Sequence, residues 1–557
     1  MALQGVRYLW HTPEAEAFTD APALIRTIST RRAPEQTDDY LNPELSRLTD
    51  PFTLHGMSAA MDVIAQAIKK NHSILVYGDY DVDGTVATAM LVRFLRELGG
   101  TADYIIPNRF IEGYGLHRET LEQQLEHFDL LITVDCGITG VEEIAWLKKQ
   151  GKQVIITDHH LPGPELPAAN AIINPSQPHC PYPHAICGAT VALKLITALR
   201  RHLDRDELNL SHYLPLAALA TVADVMEILA ENRIIVKHGL RLFASRAVTG
   251  LKALSQVAQI DPTSISAYHL GFQLGPRLNA AGRLDDAKRV VELLLLNEEQ
   301  WEQALTIATE LDSFNRERQE VEQQMLQEAQ EIIETHKYQN DRAIVVAKSG
   351  WNEGVVGIVA SRIKSRYHRP AIVCSILPDG RAKGSCRFVE GVHGYDELAR
   401  CSKLLDRFGG HAMAAGLQLP SSHINSFRRL LLQNLNRYPA ELFVPQRRAQ
   451  GALAPELLTV ETAAALQQLE PFGNGNSEPV FLTSFTVLDT FQCGRENSHC
   501  KVTLLDKLGR RHQAIAFSNN LQPWVNRRVI LCYRLRQSTF RQQVRMELQI
   551  EDVITKW

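Results

Sequence analysis

At 557 residues and 62.5 kDa, the chain is long enough for three or four domains, each with a core of its own. Hydrophobic content of 45% with 22% charge is ordinary for a soluble globular protein, and no run of about 18 apolar residues occurs, which excludes a disordered class and a transmembrane helix. A net charge of −4 and a pI near 6.6 do not mark the chain as a whole as a nucleic-acid binder.

The first 18 residues lack a basic region followed by an apolar core, so secretion is not expected. Nine cysteines, scattered without a framework, fit a reducing cytoplasm. Residues 1–50 are rich in Thr, Pro and charge, with a helix predicted near Ala21 to Ser29; they are read as an arm or cover without chemistry.

From 51 to 235, strands and helices alternate, the pattern of a parallel, doubly wound α/β sheet. Helices are predicted at Thr85 to Glu97, Arg118 to Glu126, Val141 to Lys149 and Ala189 to Arg200, with glycines at 99, 100 and 151 where helix ends belong. Three short apolar runs, Ile74 to Tyr77, Leu130 to Val134 and Val154 to Thr157, each run into an acidic cluster: Asp79-Tyr80-Asp81-Val82-Asp83-Gly84, Asp135-Cys136-Gly137 and Asp158-His159-His160. Asp224 follows later. Ligands of open α/β sheets bind beyond the carboxyl ends of the strands, and right-handed crossovers gather those ends on one edge, so the clusters converge. Carboxylates with imidazole, and no thiolate at matching positions, suit Mn²⁺ or Mg²⁺, and two such ions clamp a phosphoryl centre. A lone Asp at a strand end is more often a turn or helix cap. The first cluster also mimics an EF-hand loop, but its twelfth position is Met90 and a strand precedes it, so that reading fails.

Residues 236–340 are read as a helical connector. Its stretch from Asn297 to His336 repeats apolar or small residues at Ala304, Ile307, Leu311, Phe314, Val321, Met325 and Ile332, which predicts one long helix bridging two domains in preference to a coiled-coil dimer. Residues 341–443 alternate strand and helix again, a second and smaller α/β lobe. Residues 444–557 turn to short β segments with period-two alternation, which predicts a five-stranded barrel of the OB type. Within it, residues 481–557 carry 12 Lys/Arg against 6 Asp/Glu, a basic module on an acidic body and a plausible footprint for a polyanion. The group His179, Cys180, His184 and Cys187 has zinc-capable side chains, but its C-x₆-C spacing is wrong for a structural site and the stretch is read as a Pro-rich loop.

The strings VYGDYDVDG, TVDCG, TDHH and TVADV resemble the four motifs of the DHH phosphoesterase superfamily. Further along, GPRLNAAGR, WNEGVVGIVASR, KGSCR, GGHAMAAG and PFGNGNSEP resemble, in order, the bacterial RecJ-type single-strand-specific exonucleases, and the resemblance covers the chain from about residue 50 onward. It implies a catalytic DHH domain, a DHH-associated (DHHA1) lobe and an OB-fold. It also implies a metal-dependent 5′ to 3′ exonuclease that degrades single-stranded DNA to 5′-mononucleotides in repair, recombination and mismatch repair. The implied partners are single-stranded DNA, single-strand-binding protein and repair helicases, for a cytoplasmic, monomeric enzyme without a membrane.

Carried over motif by motif, the resemblance makes Asp81, Asp83, Asp135, His159 and Asp224 the ligands of two Mn²⁺ or Mg²⁺ ions, with Asp135 bridging. Asp79 is expected to orient a ligand, and His160 to donate to the scissile phosphate. An anionic substrate beside so many carboxylates needs cations and donors, for which Arg109, Arg277, Asn279, Arg283, Ser385 and Arg387 are the candidates, with Gly409, Gly410 and His411 resembling a backbone phosphate cradle. The chain departs from its relatives at Asn352, Cys386 and Phe388, and at Ala189 and Thr190; none of these is a ligand. Rival readings are a phosphodiesterase of short oligoribonucleotides or cyclic dinucleotides, a scaffold that has lost its metal ligands, and a pyrophosphatase. The first and last need no appended basic module, and the ligand set here is intact.

Overall fold

The computed structural model describes residues 1–13, 17–109, 111–284, 286–494, 498–517, 520–540 and 543–556. They form two compact units. The first comprises Ile25–Asn315 and Gln467–Glu478; the second comprises Met1–Leu24, Arg316–Leu466 and Pro479–Trp557.

The first unit is built on a five-stranded, all-parallel sheet in the order Thr101–Ile105, Ser73–Tyr77, Leu130–Val134, Gln153–Thr157, Ala171–Ile173. The central strands are apolar and buried along nearly their whole length, as parallel strands covered on both faces must be. The chain lays down Ser73–Tyr77, crosses to one side for Thr101–Ile105 and then to the other for Leu130–Val134. The strand order therefore reverses between Ser73–Tyr77 and Leu130–Val134, and the carboxyl ends of two such strands are where open α/β sheets bind ligands. Helix Val82–Glu97 starts there and is buried on almost every face, packed against helices Gly188–His202, Tyr213–Ala223 and Lys288–Leu295. The predicted helices are present as Val82–Glu97, Arg118–Gln124, Val141–Lys149 and Gly188–His202.

Helix Trp301–Thr335 runs 35 residues, as the apolar spacing predicted. Ala304, Ile307 and Leu311 are buried in the core of the first unit, and Met325, Ala329 and Ile333 in that of the second. The second unit holds two sheets. One is mixed, in the order Arg407–Gly410, Ala414–Pro420, Arg381–Arg387, Ala371–Ile376, Ile344–Ser349. In the other, strands Phe481–Cys493, His499–Leu505, Arg511–Phe517, Gln543–Lys556 and Arg528–Phe540 pair in a closed circuit, since Arg528–Phe540 pairs with both Gln543–Lys556 and Phe481–Cys493. This is the expected five-stranded barrel.

Residues 1–50 do not form one arm. Strands Ala2–Gly5 and Leu9–His11 extend the barrel sheet along Gln543–Lys556, whereas helix Ala21–Arg32 lies mostly in the first unit. The buried Asp552 carboxylate accepts from the backbone N–H of Arg7 and Tyr8 and from Trp10 Nε1, which ties the N-terminal hairpin down. The stretch from 444 onward is likewise divided, because Gln467–Glu478 packs into the first unit. Among the described residues, no helix is long and apolar enough to cross a membrane.

Candidate metal centre

Each acidic side chain of the cluster lies at or just beyond a strand end or a helix end. Strand Ser73–Tyr77 leads into Asp79 and Asp81, and Asp81 caps helix Val82–Glu97 by accepting the Gly84 N–H at 3.0 Å. Asp83, in the first turn of that helix, accepts the N–H groups of Gly188 (2.6 Å) and Ala189 (2.8 Å) at the start of helix Gly188–His202. Strand Leu130–Val134 delivers Asp135, whose φ of 60° is left-handed and which Asp tolerates better than most residues. A Cβ at Gly188 would lie 2.7 Å from the Asp135 carboxylate, so only glycine lets the helix approach this closely. Strand Gln153–Thr157 delivers Asp158, His159 and His160, and helix Tyr213–Ala223 ends at Asp224.

These groups converge. His159 Nε2 lies 3.1 Å from Asp135 Oδ1, 3.7 Å from Asp83 Oδ2 and 3.8 Å from Asp224 Oδ2. Three overlapping triads offer ligand atoms within 4.8 Å of one another: Asp83, His159 and Asp224; Asp135, His159 and His160; Asp79, Asp81 and Asp135. Asp135 and His159 each belong to two of them.

The electrostatics call for cations. Burial and the charge of Asp81 push Asp79 up to about 8, and burial with Asp83 and Asp81 does the same to Asp224. Asp81 and Asp135 are also raised, first by burial and then by neighbouring carboxylates. Burial lowers His159, so it stays a neutral imidazole, the form that binds metal. Asp79 and Asp135 each keep one buried carboxylate oxygen that accepts no hydrogen bond, and such an oxygen is costly unless something fills the place of a donor. Hard oxygen donors, a neutral imidazole and orphaned buried carboxylate oxygens fit divalent cations of the Mn²⁺ or Mg²⁺ kind.

Three segments match known families: residues 73–221 match the DHH family N-terminal domain, 340–437 the DHHA1 domain, and 450–552 the RecJ OB domain. The single-stranded-DNA-specific exonuclease RecJ of Dickeya dadantii is 38% identical over 566 residues, covering 97% of each chain. The chain belongs to the RecJ family. The RecJ of Bacillus subtilis is 41% identical over 470 residues, 84% of this chain, and this chain spans 59% of that longer protein. Thermus thermophilus RecJ solved with Mn²⁺ has a TM-score of 0.84 at 28% identity, covering 98% of this chain and 80% of that one. Its Mg²⁺ form has a TM-score of 0.78 at 26% identity, covering 98% and 78%.

Within the first unit of this RecJ-family chain, Arg109 lies over the Tyr80 ring at 5.2 Å, and Arg283 is near enough for its charge to act on the same phenol, which burial and Asp79 push up to about 12. Arg277 is engaged with Asp312 at 2.9 Å and with the Gln273 carbonyl at 2.8 Å. Asn279 Oδ1 accepts the Val82 N–H, tethering the loop that carries Asp79 and Asp81. In the second unit, Arg387 Nη1 donates to Ser385 Oγ at 2.8 Å and its Nε to Ser361 Oγ at 3.1 Å. Ser385 is in register with Gly416, which is in register with Gly409, and Gly410 and His411 follow at the open edge of that sheet. A Cβ at Gly357, in the first turn of helix Val356–Tyr367, would come 3.1 Å from both Ser385 and Arg387. Asn352 Oδ1 accepts the Gly354 N–H before that helix, and Cys386 and Phe388 are core residues, so these departures sit in turns and packing.

On the barrel, exposed Phe491 stands opposite Lys501, and Phe517 opposite His499, whose ring meets it edge-on at 4.9 Å. His179, Cys180 and His184 belong to no metal-competent group among the described residues, and Cys187 Sγ faces the hydroxyls of Thr190 and Thr221.

Sequence reasoning missed the group that organises the histidines. Buried Asp158 accepts the backbone N–H of His159 (2.7 Å), His160 (3.1 Å) and Ile138 (3.0 Å), and His160 Nδ1 at 2.8 Å. Burial alone would raise Asp158, but the His160 bond holds it below its ordinary range; burial alone would lower His160, but the same bond and nearby carboxylates push it up to about 9. Tyr114 Oη lies 3.0 Å from His160 Nδ1. Asp158 was visible as the first letter of its motif; Tyr114 had no signal of its own.

Asp79, Asp81, Asp135 and Asp224 hold protons in the folded state that the unfolded chain releases near pH 4. The metal-free protein therefore loses stability as pH rises from about 4 through about 8. In chelator, the thermal midpoint should fall across that window, and saturating Mn²⁺ should remove the fall. A midpoint that is flat or rising with pH in chelator would contradict this electrostatic picture.

Proposed function

We propose that this chain is a single-stranded-DNA-specific exonuclease that works from the 5′ end and releases 5′-mononucleotides by two-cation phosphodiester hydrolysis. The observation that carries the chemistry is the buried carboxylate cluster around neutral His159, with orphaned oxygens on Asp79 and Asp135. Single-strand specificity rests on membership of the family, whose curated relatives are named for that activity, and the polarity on what the motif resemblance implies. The cell compartment is the cytoplasm, and the working partners are single-strand-binding protein and repair helicases.

Bound between the two sides of the cluster, Mn²⁺ or Mg²⁺ ions would polarise the phosphoryl group and lower the pKa of an attacking water. Asp83, His159 and Asp224 would hold one ion and Asp79, Asp81 and Asp135 the other, with Asp135 available to both. His160, protonated and oriented through Nδ1 by Asp158, presents Nε2 as a charge-assisted donor to a phosphate oxygen. Arg109 and Arg283 beside Tyr80 offset the negative charge that the substrate brings.

An exonuclease must also recognise an end. The Ser385–Arg387–Ser361 cluster beside Gly357, with Gly416 and Gly409 on the next two strands, combines a guanidinium, hydroxyls and close backbone, the donor set for a terminal phosphate. The outer face of the barrel, with Phe491, Lys501 and Phe517, has the aromatic and basic composition that holds unpaired bases and backbone. That face favours a polymer over the cyclic dinucleotide reading.

With 5′-phosphorylated and 5′-hydroxyl single strands labelled at either end, degradation should start at the 5′ end, and duplex and RNA should be poor substrates. Arg387→Ala should lose the preference for the 5′-phosphate, a charge-assisted contact of roughly 1.5–3 kcal/mol. Equal attack from the 3′ end, or unchanged discrimination in the variant, would overturn the end-recognition assignment. The triple variant Phe491→Ala, Lys501→Ala, Phe517→Ala should weaken binding to long single strands by ~1–3 kcal/mol per lost stack and reduce the salt slope by about 1, with hydrolysis of short oligonucleotides retained. Binding of long strands as tight as wild type, with the same salt slope, would give that face another role.

A further inference from the structure

Helix Tyr213–Ala223 ends in a backbone lock. The Met226 N–H donates to the Thr221 carbonyl at 3.1 Å and the Val225 N–H to the Val222 carbonyl at 3.2 Å, the paired bonds of a Schellman helix end. Asp224, a ligand position, is the last residue before the lock. The lock demands a left-handed residue, which is usually glycine, yet here it is Val225 at φ 58°. A β-branched residue is strained there, and such strain persists only where the surroundings hold it. The Val225 side chain is 66% exposed, so its own packing does not do so.

The restraint comes from residues 467–478, about 250 positions away in sequence but in the same unit. Asn474 Nδ2 donates to the Val225 carbonyl at 2.7 Å, and the Asn474 carbonyl accepts the Ile228 N–H at 2.8 Å, so one residue brackets the turn at both ends. A Cβ at Gly473 would lie 2.8 Å from Ile228, and one at Gly475, itself left-handed at φ +69°, 3.1 Å from Glu227. The loop is anchored from behind. Buried Asn476 Oδ1 accepts from Arg32 Nη1 at 2.6 Å and from the Tyr40 hydroxyl at 2.7 Å. Its Nδ2 donates to the carbonyls of Leu469 and Pro471, and Arg233 donates to those of Leu469 and Gln468.

Resting on the proposed two-cation reading of the centre, we infer that Asn474 is a positioning residue for catalysis, holding the strained Val225 turn and through it the carboxylate of Asp224. The PFGNGNSEP string is thereby part of the catalytic unit rather than the start of the barrel. A truncation from Pro471 onward would remove this tether together with the barrel, whereas one from 479 would spare it.

The test is Mn²⁺ affinity of the full chain, read from the electron paramagnetic resonance of free Mn²⁺, alongside kcat and KM on single-stranded DNA. Asn474→Asp keeps the side-chain shape but removes the donor; Asn474→Ala removes the group. Each should lower Mn²⁺ affinity about tenfold or more, with kcat reduced and KM for DNA near wild type. Adding Val225→Gly to either variant should restore most of the affinity, because glycine adopts the left-handed turn without a tether. Wild-type Mn²⁺ affinity in both single variants, or no recovery on adding Val225→Gly, would overturn the inference while leaving the reading of the centre intact. A wild-type chain that takes up no Mn²⁺ would overturn that reading itself, and the inference with it.

Discussion

Repulsion among the clustered carboxylates of Asp79, Asp81, Asp135 and Asp224 is the constraint on which the rest of the catalytic unit depends. No apolar core would gather these groups at one strand-order reversal without a compensating charge, and the metal-free unit carries the cost as raised proton affinity. The surrounding structure is arranged to keep them together. Helix Gly188–His202 points two N–H groups at Asp83, Asp158 fixes both histidines from beneath, and glycine at 188 lets a helix end press against Asp135. Asp135 is itself a left-handed non-glycine residue, and Asp224 directly precedes another, Val225. Strain of this kind at a site is a sign of imposed geometry.

The same electrostatic demand explains the distribution of the remaining polar groups. His160 gains a proton from its pairing with Asp158, so a cation lies beside the carboxylates even before a metal binds. Arg277, by contrast, is consumed by Asp312, and Asn279 by the backbone of the loop it tethers; both belong to the scaffold that shapes the crevice as well as to the motif that marks it. A guanidinium already paired at 2.9 Å contributes to substrate affinity only through what remains of its charge and donors.

Much of this was legible in the sequence, for identifiable reasons. The strand ends could be read because buried parallel strands are short apolar runs and the acidic clusters follow them directly. The long helix Trp301–Thr335 could be read from apolar spacing, and the five barrel strands from alternation. What escaped was set by contacts between distant segments. The N-terminal hairpin looks like a polar arm until Asp552, more than 540 residues later, accepts its N–H groups. Gln467–Glu478 was visible as a motif, but nothing local says that it packs beside Asp224 and not with the barrel it precedes in the chain. Asp158 shared a motif with the candidate ligand His159, yet its part as the acceptor beneath both histidines depends on the course of the backbone after strand Gln153–Thr157.

The central claim is that the carboxylate–histidine cluster is a centre for two divalent cations joined by Asp135. It is tested most directly by the number of Mn²⁺ ions bound per chain at saturation, measured by equilibrium titration of the metal-free protein and of Asp135→Ala. Wild type should bind two ions, as a two-cation hydrolytic centre requires, and the variant one or none with hydrolysis of single-stranded DNA abolished. A single ion in wild type, or an unchanged count with substantial activity in the variant, would contradict it.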